Sequence, residues 1–398
     1  WSLALDIIKY CKDCTWSSTM IRSIYVNLCE RMTLNGDPEQ AERLIQEAIG
    51  WAKGGNREDE LSQEDTSLQA YLLLAGSRLD RRRQDLFRSR ERAVEALEMY
   101  RQLENTNQQG EALAQIAIIE FRDGQFNAAL DRATEAESTA DAPSVKALTH
   151  LVRGLVAQRE GKGDDAIKAF NESTQFGQQS GRNNIVLEAG MKIGETLMGA
   201  RQLPQACDTL SQVAQMARMM RAPMQERTAS ALLAQAHGGQ QNFEAALQFA
   251  QRTLQLSQQM KLNKLLPVDL YNVGLFNLML QKPSEAIAIL KKSKEISGGA
   301  NAGFKKELFF NLAQAQLQIG EKVSAEENLR SALRPAAESG DAQKLLISYQ
   351  QLSALSMEKD DKDNARKLLE EARAPALVLI GRVVSMLFDV LRYDGAQF

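Results

Sequence analysis

Residues 151–170 read LVRGLVAQREGKGDDAIKAF, with Gly154 twelve positions before Ala166 and Phe170 one helical turn further on. The same interval separates Cys29 from Ala41, Ala117 from Ala129, Gly194 from Ala206, Ala234 from Ala246, Gly274 from Ala286, Ala313 from Ala325 and Ser353 from Ala365. From Ala166 onward the alanines advance by 40, 40, 40, 39 and 40 residues, which makes the interval a structural repeat. A further unit is expected from Ala75 and Ala93, with about six residues inserted in its turn near 77–92. Ala4 marks residues 1–20 as the second helix of a truncated preceding unit.

Two antiparallel helices explain the spacing. Where their axes come closest, only Gly, Ala, Ser or Cys leaves room for the opposing backbone, and larger residues a turn away fill the flanking volume. Leu28, Leu74, Ile116, Ile193, Leu233, Val273, Leu312 and Leu352 stand just before the small positions. Ile45, Leu97, Phe170, Leu210, Leu290, Leu329 and Leu369 stand four residues after the alanines. Seven residues after the small position, Gly36, Gly124, Gly161 and Gly320 supply the left-handed backbone that stops a helix. Good helix formers fill most windows, and only 8 prolines and 25 glycines punctuate the 398 residues, so nearly everything reads as helix.

On these residues the chain resembles the tetratricopeptide repeat family, best in 151–170, in IAIIEFRDGQFNAALDRATEA (116–136) and in YVNLCERMTLNGDPEQAERLIQEA (25–48). The resemblance covers residues 1–373. It implies an all-α, right-handed α-solenoid of about nine helix-turn-helix units over 21–373, followed by a C-terminal amphipathic capping helix in 374–398. Tyr25, Tyr71, Phe309 and Tyr349 keep the family's aromatic position, whereas His150, Gly190 and Ser230 depart from it. The usual unit is 34 residues; a forty-residue period is similar to that of Pins-type polarity adaptors. A HEAT-like or unclassified α-solenoid is the competing reading.

Catalysis finds little support. His150 and His237 lie more than two units apart, so no histidine pair or nucleophile relay assembles. Cys11 and Cys14 have metal-ligand spacing, but no second pair follows at zinc-finger distance, and GKGDD lacks the spacing of a phosphate loop. The expectation is a non-enzyme without metal or cofactor. Four scattered cysteines point to a reducing, intracellular (cytoplasmic) setting. The chain opens at Trp1 in what reads as the middle of an amphipathic helix, so a piece of a longer protein is expected, and no stretch is long and apolar enough to span a membrane. A net charge of -3 makes nucleic acid an unlikely partner for the chain as a whole.

Binding is what remains. The resemblance assigns the residue two before the small position to a concave groove, where Asn27, Asn272 and Asn311 stand, with Gln115 and Gln351 as equivalents. Lys192, Glu195, Gln235, Tyr271, Gln314 and Gln318 are neighbouring groove positions in the same register. Lys192 alone cannot hold a terminal carboxylate, which disfavours chaperone-tail binding. The expected function is a protein-interaction scaffold holding an extended segment or amphipathic helix of a partner. The alternative is a ligand-sensing regulatory domain, for a peptide or metabolite, that controls an effector outside this sequence. Arg81, Arg82, Arg83, Arg88 and Arg90 form a candidate patch for an acidic partner, diluted by Asp80, Asp85 and Glu91. Past Pro375, Ile380, Val383, Val384, Leu387 and Leu391 share one helical face suited to capping the array or to self-association.

Overall fold

The computed structural model describes residues 38–52 and 63–381, and all regular structure among them is helical. Asn27, Cys11, Cys14, Cys29 and Gly36, and the association-helix residues Val383, Val384, Leu387 and Leu391, lie outside the described residues. In chain order the helices are α1 (Pro38–Ala52), α2 (Gln63–Arg82), α3 (Leu86–Gln102), α4 (Thr106–Arg122), α5 (Phe126–Thr139), α6 (Pro143–Arg159), α7 (Gly163–Gln179), α8 (Asn183–Gly199) and α9 (Leu203–Met219). They continue as α10 (Pro223–Gly239), α11 (Phe243–Gln259), α12 (Leu266–Met279), α13 (Pro283–Ile296), α14 (Ala302–Gln318), α15 (Lys322–Glu338), α16 (Ala342–Glu358) and α17 (Lys362–Glu371). Even-numbered helices lead each repeat and odd-numbered helices trail it.

The small positions do what close packing requires. A Cβ on Gly154 of α6 would stand 2.5 Å from two ring atoms of Phe170 on α7, and on Gly194 of α8 it would stand 2.6 Å from Leu210 on α9. Gly274 of α12 is equally tight, 2.6 Å from Leu290 and 3.5 Å from the Ala286 carbonyl oxygen. Phe170, Leu210 and Leu290 are fully buried. In these three pairs the bulky residue four after the alanine lies over the vacancy that the small residue leaves, whereas Leu369 of the last pair is exposed.

One unit is corrected. Ala75 and Ala93 are both buried, but the pair that occupies the close approach is Ser77 and Ser89, twelve residues apart like the rest. Ser77 Oγ donates to the Ser89 carbonyl at 2.7 Å, and Ser353 Oγ donates to the Ala365 carbonyl at 3.1 Å in the same register of the last unit. There is no six-residue insertion: the α2–α3 turn is Arg83 to Asp85, as short as its counterparts. What displaced the sequence reading is serine at both positions, in place of the expected alanine.

Helix stops keep the same phase. Gly124, Gly161 and Gly320 have φ of 81°, 77° and 81°, as their position required. The equivalent residue in other units is not glycine, yet Gln84, Arg201, Gln241, Gln281 and Asp360 are also left-handed, with φ between 57° and 64°. Trailing helices stop fifteen residues after the alanine position, at Glu104, Gly181, Arg221, Lys261 and Gly340. That second stop is absent where α5 ends early at Thr139, with Pro143 opening α6, and where α13 ends at Ile296. Those two short helices of 14 residues fall in the 37-residue step from Ala129 to Ala166 and the 39-residue step from Ala286 to Ala325.

The chain divides into two units, residues 1–236 and 237–398. In the first, a continuous apolar core runs from Ala70 to Ala206, with Leu113, Ile118, Leu151 and Phe170 fully enclosed. In the second, one cluster joins α12, α13 and α14 and another joins α14 to α17. Each unit is an all-α solenoid of helix pairs, each pair burying its apolar stripe against its neighbours.

A cationic cavity in the first unit

The five arginines of the candidate patch separate into two groups. Arg88 binds Glu42 of α1 at 2.8 Å, and buried Arg92 reaches Asp80 at 3.0 Å and Glu42 as well. The Arg92 guanidinium lies over Gly76, where any Cβ would strike it. Burial opposes ionisation of Glu42, but hydrogen bonds from Arg92 and Gln46 and the Arg92 and Arg88 charges outweigh it, holding the carboxyl near 2. Arg90 approaches Glu120 at 3.6 Å, and Arg83 is exposed beyond the end of α2. These three side chains serve the solenoid's own ion pairs or its surface.

Arg81 and Arg82 instead join Arg78 of α2 and Arg122 of α4 around a cavity of about 510 Å³. Arg78, Arg81 and Arg82 share one helix face through i, i+3 and i+4 spacing. Arg122 holds the same place in its repeat as Arg82, five residues after Ala117 as Arg82 is five after Ser77. The remaining wall comes from Gly181–Asn184 and Glu188, Met191, Lys192 and Glu195 of α8, and from Met220, Met224, Gln225 and Thr228 at the α9–α10 junction. Lys192 and Glu195, two of the expected groove residues, thus belong to the site, paired with each other at 2.6 Å.

The lining carries six cations against two carboxylates. Arg182 is neutralised by buried Glu111 and Lys192 by Glu195. Arg81 Nη1 donates at 2.9 Å to the neutral amide oxygen of Gln115, one of the expected groove amides. Desolvation, reinforced by the Arg122, Arg78 and Arg82 charges, pulls the Arg81 guanidinium down to about 10, with Glu188 as the opposing influence. Arg82 is lowered by desolvation and the Arg122 charge, with Glu188 again opposing. Arg78 lies 6.0 Å from the Tyr71 ring centroid, and among the described residues neither it nor Arg122 forms an ion pair.

The amides of the second unit are largely engaged by one another. Asn311 Nδ2 donates to Tyr271 Oη and to the Glu307 carbonyl, both at 2.9 Å, and Gln314 and Gln351 exchange hydrogen bonds at 2.8 and 3.1 Å. Asn272 is half-buried, and Gln318 is exposed at the end of α14. Gln235, in the first unit, is exposed on α10. Asn311 and Gln351 thus bridge consecutive leading helices, and each donates a hydrogen bond within the chain.

Neither histidine sits in a relay. His150 stacks on Phe176 beside Glu172 at 2.9 Å, and His237 stacks on Phe249. Cys207 is a buried thiol outside any disulfide. Ile380 is exposed, as are Leu377 and Val378, in the helical stretch 373–381. Among the described residues no helix is long and apolar enough to cross a membrane.

Repeated helix pairs, small residues at the close approach and left-handed stops in constant phase define the tetratricopeptide-repeat fold. Solved structures agree. The apo quorum sensor NprR from B. thuringiensis is 14% identical, with a TM-score of 0.50 over 88% of this chain and 97% of that one. A signal transduction ATPase with numerous domains (STAND), carrying a tetratricopeptide repeat sensor and coming from Pyrococcus horikoshii, gives 0.60 at 14% identity, covering 87% of this chain and 54% of that one. The C-terminal part of a TPR repeat-containing protein from Cytophaga hutchinsonii gives 0.50 at 13% identity, covering 66% and 94%. No protein-family model matches the sequence, and no curated protein matches it.

Proposed function

We propose that this chain is a non-catalytic interaction module that holds an extended segment or amphipathic helix of a protein partner, with the cavity of the first unit as its principal seat. The observation that carries this reading is the composition of that cavity. Arginines, amides and three methionines converge from α2, α4, α8 and the α9–α10 junction into about 510 Å³. Such a lining offers oriented polar contacts together with adaptable apolar ones. In this reading the repeats occupy 21–373, and the stretch 374–398 caps them or joins two copies. A regulatory sensor for a peptide or metabolite is the second reading. The cavity volume suits a small ligand, and two structural neighbours are named as a sensor or as carrying one.

A photo-crosslinking residue at Met191 distinguishes these readings in extracts of the source cell. The scaffold reading expects a discrete protein adduct from Met191 and none from the same probe at exposed Arg330 on α15. No Met191 adduct, or identical adducts from both positions, counts against it; a small molecule copurifying with the chain instead favours the sensor.

A further inference from the structure

Most partly or fully buried arginines of the first unit face a carboxylate. Arg92 has Asp80 and Glu42, Arg132 has Glu120 and Glu135, Arg153 has Glu137, and Arg182 has Glu111. The cavity breaks this rule. Arg81 is held there by a neutral amide, Arg78 makes no ion pair among the described residues, and neither does Arg122, which is exposed and lines the same cavity. Assembling like charges in a partly desolvated site costs stability unless a counter-charge arrives, and the Glu188 carboxylate is a single one. Planar guanidiniums fit oxyanions through paired N–H groups, so the missing counter-charge is an oxyanion with more than one negative charge.

We infer that Arg78, Arg81 and Arg122 read a dianionic group on the bound protein segment, either a phosphorylated side chain or two adjacent carboxylates. This inference rests on the cavity being the seat of a partner segment. Met191, Met220 and Met224 in the same lining would take an apolar residue next to that group. A nucleic acid fits less well, because the lining contains no aromatic platform on which bases stack.

The test uses the full chain and four immobilised pools of nine-residue peptides with degenerate flanks. Their centres are phosphoserine, Glu-Glu, serine or lysine. Retention of the phosphoserine or the Glu-Glu pool should exceed that of the serine pool about tenfold or more, as expected for hydrogen bonds to a charged group. Which anionic pool leads identifies the source of the charge. The double variant R78Q/R122Q should lose the preference, whereas R83Q, one position beyond the cavity's α2 residues, should keep it. R122Q alone, at an exposed position, serves if the double variant melts early.

Equal retention of anionic and serine pools, or of no pool, overturns the inference. So does a preference that survives in R78Q/R122Q, or a single-stranded oligonucleotide retained more tightly than either anionic pool. Crosslinking from Met191 that persists in R78Q/R122Q, alongside equal retention of the pools, would leave the interaction reading standing and remove only the anion.

Discussion

Gly154 decides between two opposed effects of one methyl group. Alanine in a helix interior is favoured over glycine by about 1 kcal/mol. Here the added Cβ would meet the fully buried Phe170 ring at 2.5 Å, and a ring packed on all sides has nowhere to go. Overpacking of that kind costs about 1–3 kcal/mol, so the clash wins. Gly154→Ala is expected to lower the denaturation midpoint, whereas Gly199→Ala, at an exposed position with nothing within 4 Å, should leave it unchanged or raise it. Urea titrations of both variants check the pair; stabilisation by Gly154→Ala would mean that the helices are not in tight contact there.

At the scale of elements, the Glu42 contacts tie α1 to α3, whose Arg92 also holds Asp80 of α2, and give the fold an acid-sensitive joint. The carboxyl is held near 2, below its ordinary value of 4.5. A depressed carboxylate stabilises the fold above the ordinary value and loses that contribution as pH falls from about 4.5 towards 2. Asp80, raised by burial, titrates in the opposite sense in the same network. Glu42→Gln should therefore cost about 1–3 kcal/mol at pH 6, with the difference shrinking towards zero near pH 2. Paired melting curves across that range check it; a pH-independent difference would point to packing alone.

The legibility of the elements follows the same chemistry. Stops were readable where glycine marks them, at Gly124, Gly161 and Gly320, and silent where Gln84, Arg201 or Gln241 adopts the same backbone. The repeat formed by α2 and α3 escapes a pattern built on alanine because both of its close-approach positions are serine. Stepping back forty residues from Ala117 and Ala129 lands on Ser77 and Ser89 and would have found it. The cavity was only half legible. Lys192, Glu195, Arg81 and Arg82 were named, but the misplaced insertion hid the equivalence of Arg82 and Arg122 that brings the two rows of arginines together.

For the whole molecule, repeats that bury their apolar faces only against neighbours should fail locally. Gly274→Val drives a branched side chain into Leu290 and towards the Ala286 carbonyl in the second unit. Amide hydrogen exchange should then accelerate in α12 and α13 while α2 to α5 keep their protection. Uniform acceleration along the chain would show a single cooperative body. One feature of the joints bears on durability. At Gln84, Arg201, Gln241, Gln281 and Asp360 a side chain tolerates left-handed backbone at a cost of roughly 1 kcal/mol each. None of these five lines the arginine cavity. A heat-hardened version of this architecture is therefore reachable by editing the joints alone, with the recognition chemistry left as it stands.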